Sequence, residues 1–143
     1  MKYSVKNSSS SMSGKIHHID ITVGDLDVST RFYDFCLVTI GFKRIQAVDE
    51  GPLWAGEYVE FGLQLAKNRT LHNRDAPGLN HLAFDAVSPA AVDDLYRELC
   101  ARGVTILDAP ASYEKYTLGY YAVFFLDPDG IKLEYVYTPE WPV

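Results

Sequence analysis

One pattern, a strand followed by a helix and three strands, occurs twice in this 143-residue chain, and no other sequence feature constrains the fold as strongly. In the first half, an alternating run at 16–23 predicts a strand, and apolar residues at spacings of three and four predict a helix over 27–39. Gly41 ends that helix, and three short strands are predicted after it, at 42–47, 54–60 and 62–66.

The second half shows the same order of elements. A strand is predicted at 79–86, and Ser88 followed by Pro89 predicts the start of a helix that reaches about Ala101. Three more strands are predicted, the last two joined by the turn DPDG, at 104–108, 120–126 and 131–137.

The sequences of the two halves can be aligned with only one change of offset. An offset of 63 takes His18 to His81, and an offset of 70 brings GLQL onto KLEY and therefore Gln64 onto Glu134. Internal repetition of this kind indicates tandem units that bury a shared core. The predicted fold is α+β, with two tandem βαβββ modules that form a curved mixed sheet.

The repeat also sets the predicted domain boundaries. Residues 1–14 are serine-rich and lack the apolar core of a signal peptide, so we expect a leader or a segment added for expression. Residues 15–143 are predicted to form a single domain. Its parts are module one at 15–66, a polar linker at 67–78, module two at 79–137 and a C-terminal tail at 138–143.

Composition argues against two classes of protein. The apolar stretches are much shorter than the roughly 20 residues that a membrane span needs. The 13 basic and 19 acidic residues give a formal net charge of −6, which disfavours nucleic-acid binding because phosphate neutralisation supplies most of that affinity. Two cysteines cannot form a disulfide-rich scaffold. We therefore expect a cytoplasmic protein without a membrane or nucleic-acid partner.

Strand parity predicts which side chains lie on the open face of the sheet. Alternate residues of a strand point to opposite faces, so Ile19 and Ile21 oppose His18, and Leu133 and Tyr135 oppose Glu134. The apolar parity can pack on the helices, which leaves the polar parity for a concave inner face. The metal-competent side chains predicted on that face are His18, Gln64, His81 and Glu134.

This set of side chains suits a divalent metal. Imidazole together with carboxylate or amide oxygen accommodates Zn, Ni, Co, Mn or Fe(II), and one metal per site is predicted. No cysteine takes part, so a closed structural zinc site is not expected. A metal with open coordination positions can polarise a substrate carbonyl, while a carboxylate beside it moves protons.

Each of these residues also has a structural interpretation. A histidine in a strand can be structural, Glu134 can be a solvated strand residue, and the amide of Gln64 can simply hydrogen-bond its surroundings. His17 has the opposite parity to His18 and is expected to support it or to be structural. His72 lies in the polar linker and is expected to be exposed.

Three segments resemble a known family, the vicinal oxygen chelate superfamily. They are HHIDITVGDLDVSTRFY, NHLAF and FFLDPDGIKLEYV, within residues 16–137. This superfamily includes glyoxalase I, extradiol dioxygenases, fosfomycin-resistance thiol transferases and bleomycin-resistance proteins. The resemblance implies metal-ligand positions at His18, Gln64, His81 and Glu134, and a Gln at the second position occurs in some glyoxalases.

Several aromatic side chains with polar tips are candidates for a substrate pocket. Core packing or a dimer contact is the alternative interpretation, and Tyr121 can face either way. The candidates for substrate binding are Trp54, Tyr58, Tyr113, Tyr116 and Tyr121.

The leading functional hypothesis is a metal-dependent enzyme that acts on a small oxygenated organic molecule. In a lyase or isomerase, Glu134 would be the catalytic residue that exchanges protons with the substrate. In a dioxygenase, Fe(II) would use His18, His81 and Glu134 as a facial triad. The alternatives are a metal-free drug-binding protein of the bleomycin-resistance type and a thiol transferase of the fosfomycin type.

A homodimer is expected, because an isolated half-cup would leave sheet edges and apolar faces uncovered. The 12-residue linker permits the two modules to form one cup within a chain or to exchange partners across a dimer. The sequence leaves open which of these arrangements unites His18 with Glu134.

Overall fold

The computed structural model describes residues 13–45 and 51–140, and in them the predicted order of elements occurs twice. Module one has one helix and four strands, which are β1 (His18–Val23), α1 (Leu26–Thr39), β2 (Lys43–Ile45), β3 (Leu53–Ala55) and β4 (Glu60–Leu65). Module two matches it with β5 (His81–Asp85), α2 (Pro89–Ala101), β6 (Ile106–Ser112), β7 (Tyr121–Leu126) and β8 (Lys132–Tyr137). The prediction of two βαβββ modules is confirmed.

The strands form two four-stranded mixed sheets. The first has the order β1-β4-β3-β2 and the second the order β5-β8-β7-β6. In each module the first and last strands pair in parallel, while the remaining pairs are antiparallel. The parallel pair therefore brings the two ends of each module side by side.

Side-chain caps start both helices. The Asp25 carboxylate accepts a hydrogen bond from the backbone N–H of Val28, and the Ser88 hydroxyl accepts one from Ala91, at 3.0 and 3.1 Å. Each bond satisfies a backbone donor that the first helical turn leaves unpaired. Pro89 occupies the first position of α2, so the predicted start of that helix is confirmed.

The apolar parity of the strands packs against the helices, as predicted. Side chains of both modules belong to one core, in which the ring centres of Phe61 and Phe84 are 6.1 Å apart and those of Phe32 and Phe125 are 6.4 Å apart. Because these pairs cross the module boundary, the helix side of the protein is a single apolar layer. The polar parity of β1 and β5 points away from it.

The loop after β7 ties module two to module one. Asp127 is buried and its Oδ2 accepts a hydrogen bond of 2.7 Å from the Tyr33 hydroxyl on α1. Asp129 accepts one of 2.9 Å from the backbone N–H of Gly24. The DPDG turn is thus a contact between modules as well as a hairpin.

Two strands differ clearly from their predicted bounds. The strand expected at 54–60 stops at Ala55, because the Gly56 N–H bonds to the Val59 carbonyl at 2.9 Å and turns the chain. The strand expected at 104–108 runs instead from Ile106 to Ser112 with breaks in register. The end of the strand expected at 42–47 lies outside the described residues.

In the part of the chain that the structure describes, no helix is long and apolar enough to cross a membrane.

Candidate metal centre

The polar face of module two holds a histidine and a glutamate in direct contact. His81 opens β5, and Glu134 lies in the middle of β8, paired with Ala83 two residues further along. The side chain of Glu134 is 2% exposed and that of His81 is 36% exposed. His81 Nε2 and Glu134 Oε2 are 3.2 Å apart, so strand pairing and parity bring these two predicted ligands together.

The residue before His81 fixes the orientation of its ring. Asn80 Oδ1 lies 2.7 Å from His81 Nδ1. An amide oxygen is an acceptor, so Nδ1 carries the ring proton in this contact and a neutral imidazole then has its lone pair at Nε2. That lone pair faces a carboxylate oxygen at 3.2 Å. Two acceptor atoms held at this separation fit a cation that both can coordinate, and an outer partner such as Asn80 is typical of metal-binding histidines.

Tyr120 holds the other oxygen of Glu134. Its hydroxyl donates a short hydrogen bond to Glu134 Oε1. Burial, and then the hydrogen bond to Glu134, raise the pKa of Tyr120 well above its usual value, so the hydroxyl stays protonated. Tyr120 was not among the predicted site residues. It precedes β7 and shares the parity of Ala122 and Phe124, which could have indicated that it lies on the open face.

An aromatic wall stands beside Glu134. The rings of Tyr113 and Phe124 meet edge to face at 5.5 Å, and those of Tyr113 and Tyr116 are stacked at 6.2 Å. Tyr116 is 61% exposed, so its outer face is open to solvent or to a ligand. Tyr113 and Tyr116, both predicted to bind substrate, thus lie together with Tyr120 on the Glu134 side.

The polar face of module one is more open. His17 Nδ1 and His18 Nδ1 are 3.0 Å apart, and the side chain of His18 is 57% exposed. His17 is the repeat counterpart of Asn80, so in both modules the preceding residue holds the Nδ1 side of the histidine and leaves Nε2 available. A cavity of about 290 Å³ is lined by His18, Asp20, Glu60, Gly62 and Gln64, among others.

The sheet register differs from the sequence superposition in the last strand of each module. His18 pairs with Glu60 and His81 pairs with Lys132, so β4 corresponds to β8 with an offset of 72 rather than 70. The structural counterpart of Glu134 is therefore Gly62. The structure places Gln64 on the same face as His18 but opposite Thr22, two residues beyond Gly62.

The remaining predicted aromatics lie elsewhere. Trp54 is 0% exposed in the core and donates a hydrogen bond of 2.8 Å from Nε1 to Asp34, so it cannot touch a ligand in this conformation. The Tyr121 hydroxyl donates to Asp93 on α2 at 2.8 Å, which places it on the helix side. Tyr58 is 67% exposed in the turn between β3 and β4.

His72 in the linker differs from its expected exposure. The residue is half-buried, and its Nε2 is buried without a hydrogen-bond partner in the described part of the chain. A cavity of about 430 Å³ lies beside it, between the linker and the DPDG turn.

One chain does not assemble the full set of predicted ligands. Within residues 13–45 and 51–140, no three His, Cys, Asp or Glu side chains come together in a way that could hold a metal. The His81 and Glu134 pair is complete, but His18 does not join it. Each module thus presents one half of a candidate centre.

Comparison with known proteins decides the family. The model of the glyoxalase/bleomycin resistance protein/dioxygenase superfamily matches residues 15–135. The chain belongs to this superfamily. The resemblance noted in the sequence is therefore confirmed.

Relatives within the superfamily match almost the whole of their own length. The uncharacterized protein YqjT of Bacillus subtilis is 37% identical over 124 residues, which cover 85% of this chain and 97% of YqjT. A glyoxalase-like structure from Bacillus halodurans is 33% identical, with a TM-score of 0.75 and coverage of 88% of this chain and 97% of that one. A glyoxalase/bleomycin resistance protein from Albidiferax ferrireducens is 26% identical, with a TM-score of 0.72 and coverage of 86% and 98%.

Proposed function

We propose that this chain is a metal-dependent enzyme of the superfamily, of the glyoxalase-like lyase or isomerase type or of the dioxygenase type, and that it acts on a small oxygenated organic substrate. The observation that carries the proposal is the pair of His81 Nε2 and Glu134 Oε2, held 3.2 Å apart. His81 and Glu134 would hold a divalent metal (Zn, Ni, Co, Mn or Fe(II)), and the metal would supply Lewis-acid chemistry toward the oxygens of the substrate.

The protein groups around the pair have separate roles. Glu134 is the residue that exchanges a proton with a carbon of the substrate, because it is the one buried carboxylate on the open face of module two. Tyr120 keeps its own proton and fixes Glu134 through Oε1. Asn80 keeps the ring proton of His81 on Nδ1. These two contacts hold the donor atoms in place before a ligand arrives.

The aromatic wall supports an organic substrate. Tyr113 and Tyr116 offer stacked ring faces next to Glu134, and Phe124 closes the space between Tyr113 and His81. Apolar or planar parts of a substrate can pack there while its oxygens face the polar pair.

A second copy of the chain would complete the centre. His18 lies on the open face of module one, and the described part of a single chain does not bring it to His81 and Glu134. β1 and β5 are both edge strands of their sheets, which leaves each half-cup free to meet another along that edge. In the proposed homodimer, module one of one protomer faces module two of its partner, so that two equivalent sites form.

Metal analysis tests the proposed function. We expect about one Zn, Ni, Co, Mn or Fe(II) ion per chain by elemental mass spectrometry, in protein purified without a histidine tag and then supplied with each metal. His81→Ala should lose that metal while its circular dichroism stays unchanged. Wild-type protein that takes up no metal under any of these conditions would instead favour a metal-free binding protein.

Mixing two inactive variants tests the shared site. His18→Ala and His81→Ala each remove one half of a centre. In a mixed dimer, one site has both histidines and the other has neither. After the two variants are denatured and refolded together, each mixed dimer should therefore bind one metal, half of the two that a wild-type dimer binds. Sites built within one chain would stay empty after mixing.

A further inference from the structure

A cavity on the helix side of the protein takes no part in the proposed metal centre. Its volume is about 470 Å³, and it lies between α1, the segment that follows α2 and the loop after β7. Small-molecule sites commonly have volumes of about 300–1,000 Å³ and often lie where two structural units meet. We propose that this cavity binds a small organic anion, a carboxylate carried on an aromatic or branched apolar body.

Two arginines bring positive charge to the cavity. Arg31 belongs to α1 of module one, and Arg102 caps the end of α2 in module two. Among the described residues, no carboxylate lies within 4.0 Å of either guanidinium group, whereas Arg44 and Arg97 each form an ion pair. The chain as a whole has a formal net charge of −6, so these two side chains make a local exception that suits an anionic ligand.

Phe35 on α1 positions the guanidinium group of Arg102. The guanidinium carbon lies over the Phe35 ring, 3.8 Å from its centre. A guanidinium that stacks on an aromatic face keeps its N–H groups in its own plane, where they can bind both oxygens of a carboxylate. Because the contact joins module two to module one, it holds Arg102 at the cavity before a ligand binds.

Asp127 also lines the cavity, but its carboxylate oxygens have partners within the protein. Oδ1 accepts hydrogen bonds of 2.9 and 2.8 Å from the backbone N–H groups of Asp129 and Ile131, and Oδ2 accepts one of 2.7 Å from the Tyr33 hydroxyl. These bonds stabilise its negative charge. Among the described residues of the wall, the two arginines therefore supply the charge that a ligand meets.

The rest of the wall is largely apolar. Val28 and Phe32 line it from α1, and Val104 and Leu126 line it from module two. An inorganic anion bound at the arginines would leave these side chains in contact with water. A ligand with an aromatic or branched apolar body covers them and removes that apolar surface from water, which is favourable. The wall therefore favours an organic carboxylate over free phosphate or sulfate.

The sequence repeat shows that folding does not require this combination of side chains. An offset of 63 aligns the N-cap residues of α1 and α2. The same offset takes Arg31 to Asp94 and Phe35 to Glu98, so acidic residues stand at both corresponding positions of α2. A second βαβββ module thus folds without the arginine and the aromatic ring. The cavity is a feature of α1 and its neighbours alone.

Calorimetric titration of the full chain with 2-naphthoate tests the proposal. A chelator is present, so that a metal on the open sheet face cannot hold the carboxylate. We expect one 2-naphthoate to bind per chain, with an affinity that falls as salt is added. Neutral 2-naphthylmethanol should bind about tenfold more weakly, because it lacks the charge that the arginines recognise. Absence of saturable binding, or equal affinity for the neutral compound, would overturn the proposal.

Three arginine variants test where the anion binds. Arg31→Gln and Arg102→Gln should each weaken 2-naphthoate binding by about tenfold, or about 1.4 kcal/mol, because each removes a charged hydrogen-bond donor. Arg97→Gln is the matched control, since it removes the same charge from an exposed ion pair with Asp94. It should stay within about twofold of wild type. Equal effects of all three variants would show that net charge alone matters and would contradict the site.

Val28→Trp tests the cavity while both arginines stay in place. Val28 is 40% exposed on α1, and Val and Trp have similar helix propensities, so the fold should tolerate the change. The larger side chain fills the space and should weaken 2-naphthoate binding by more than about tenfold. Unchanged binding would place the ligand elsewhere on the protein. Metal uptake is measured separately, so this proposal and the proposed function can fail independently.

Discussion

Tyr120 and Tyr121 are neighbours in the sequence, but their side chains lie on opposite faces of the sheet. Tyr120 donates to Glu134 on the open face, and Tyr121 donates to Asp93 on the helix side. Both hydroxyls bond to a carboxylate, and burial or that bond raises the pKa of each. Their surroundings therefore decide their roles, since Glu134 is almost fully buried and Asp93 lies at the helix surface.

Tyr120→Phe should weaken metal binding while the fold persists. The change leaves Oε1 of a buried carboxylate without its donor, which costs about 1–3 kcal/mol in the free energy of unfolding and about 10–100-fold in metal affinity. Chemical denaturation and calorimetric titration measure the two effects. Tyr121→Phe is the matched control and should lower stability slightly without changing metal affinity. Equal metal affinity in Tyr120→Phe and wild type would remove Tyr120 from the centre.

Sequence reasoning reached part of the candidate site at this scale. Parity placed His18, His81 and Glu134 on the open face because alternation depends on local sequence. It missed Asn80 and Tyr120, whose contacts with His81 and Glu134 depend on side-chain packing and on strand register.

At the scale of elements, the DPDG turn of module two is hydrogen-bonded to module one. Asp127 receives hydrogen bonds from the Tyr33 hydroxyl and from the backbone N–H groups of Asp129 and Ile131. Burial raises the pKa of Asp127 above its ordinary 3.8, and the hydrogen bond from Tyr33 opposes that rise. The turn therefore holds a carboxylate whose charge is stabilised by a residue of the other module.

The pH dependence of stability follows from this raised pKa. In the range from about pH 4 up to the pKa of folded Asp127, the folded state binds more protons than the unfolded state, so the free energy of unfolding falls as pH rises. Tyr33→Phe should raise that pKa further and cost about 1–3 kcal/mol near pH 7, with a smaller loss near pH 4 where the carboxyl is protonated. Urea denaturation at both pH values measures the difference.

The repeat supplies a control for that variant. Tyr96 is the counterpart of Tyr33 in α2, and it is the neighbouring Cys100, not a carboxylate, that raises the pKa of its hydroxyl. Tyr96→Phe should therefore change stability by a similar small amount at both pH values. A loss in Tyr33→Phe that is independent of pH would show that Asp127 does not carry the effect.

Helices were predicted more accurately than strands. The bounds of α2 follow from Ser88, Pro89 and a helical repeat, all of which act within a few residues. The end of β3 depends on Gly56, where the chain packs against the ring of Phe42 and turns. Such a contact between distant residues is invisible to a local pattern.

At the scale of the whole molecule, the helix side is closed and the sheet side is open. The core runs continuously through both modules, and the open faces of the two sheets carry separate halves of the candidate centre. The sequence left two arrangements of the modules open. In the proposed homodimer, the two protomers exchange these halves.

Metal binding should then be coupled to dimer stability. If both protomers contribute to each site, metal at about 100 times its Kd adds about 2.7 kcal/mol per site to the stability of the folded dimer. Thermal unfolding should show a higher Tm with metal than with chelator, and the Tm should rise with protein concentration. His81→Ala should show no rise with metal. A metal effect in wild type that is independent of dimer formation in sedimentation would place the whole site within one chain.

The two modules differ most in the hairpin that precedes their last strand. In module one, Arg44 pairs with Trp54, which lies ten residues later in the sequence. In module two, Ile106 pairs with Phe125, which lies nineteen residues later. The additional length includes the segment with Tyr113, Tyr116 and Tyr120. The repeat is therefore asymmetric, because the hairpin of module two is longer than that of module one and carries these three tyrosines. A molecule seated between the two modules would meet unlike walls on its two sides, so its two ends would be distinguished and a single orientation favoured.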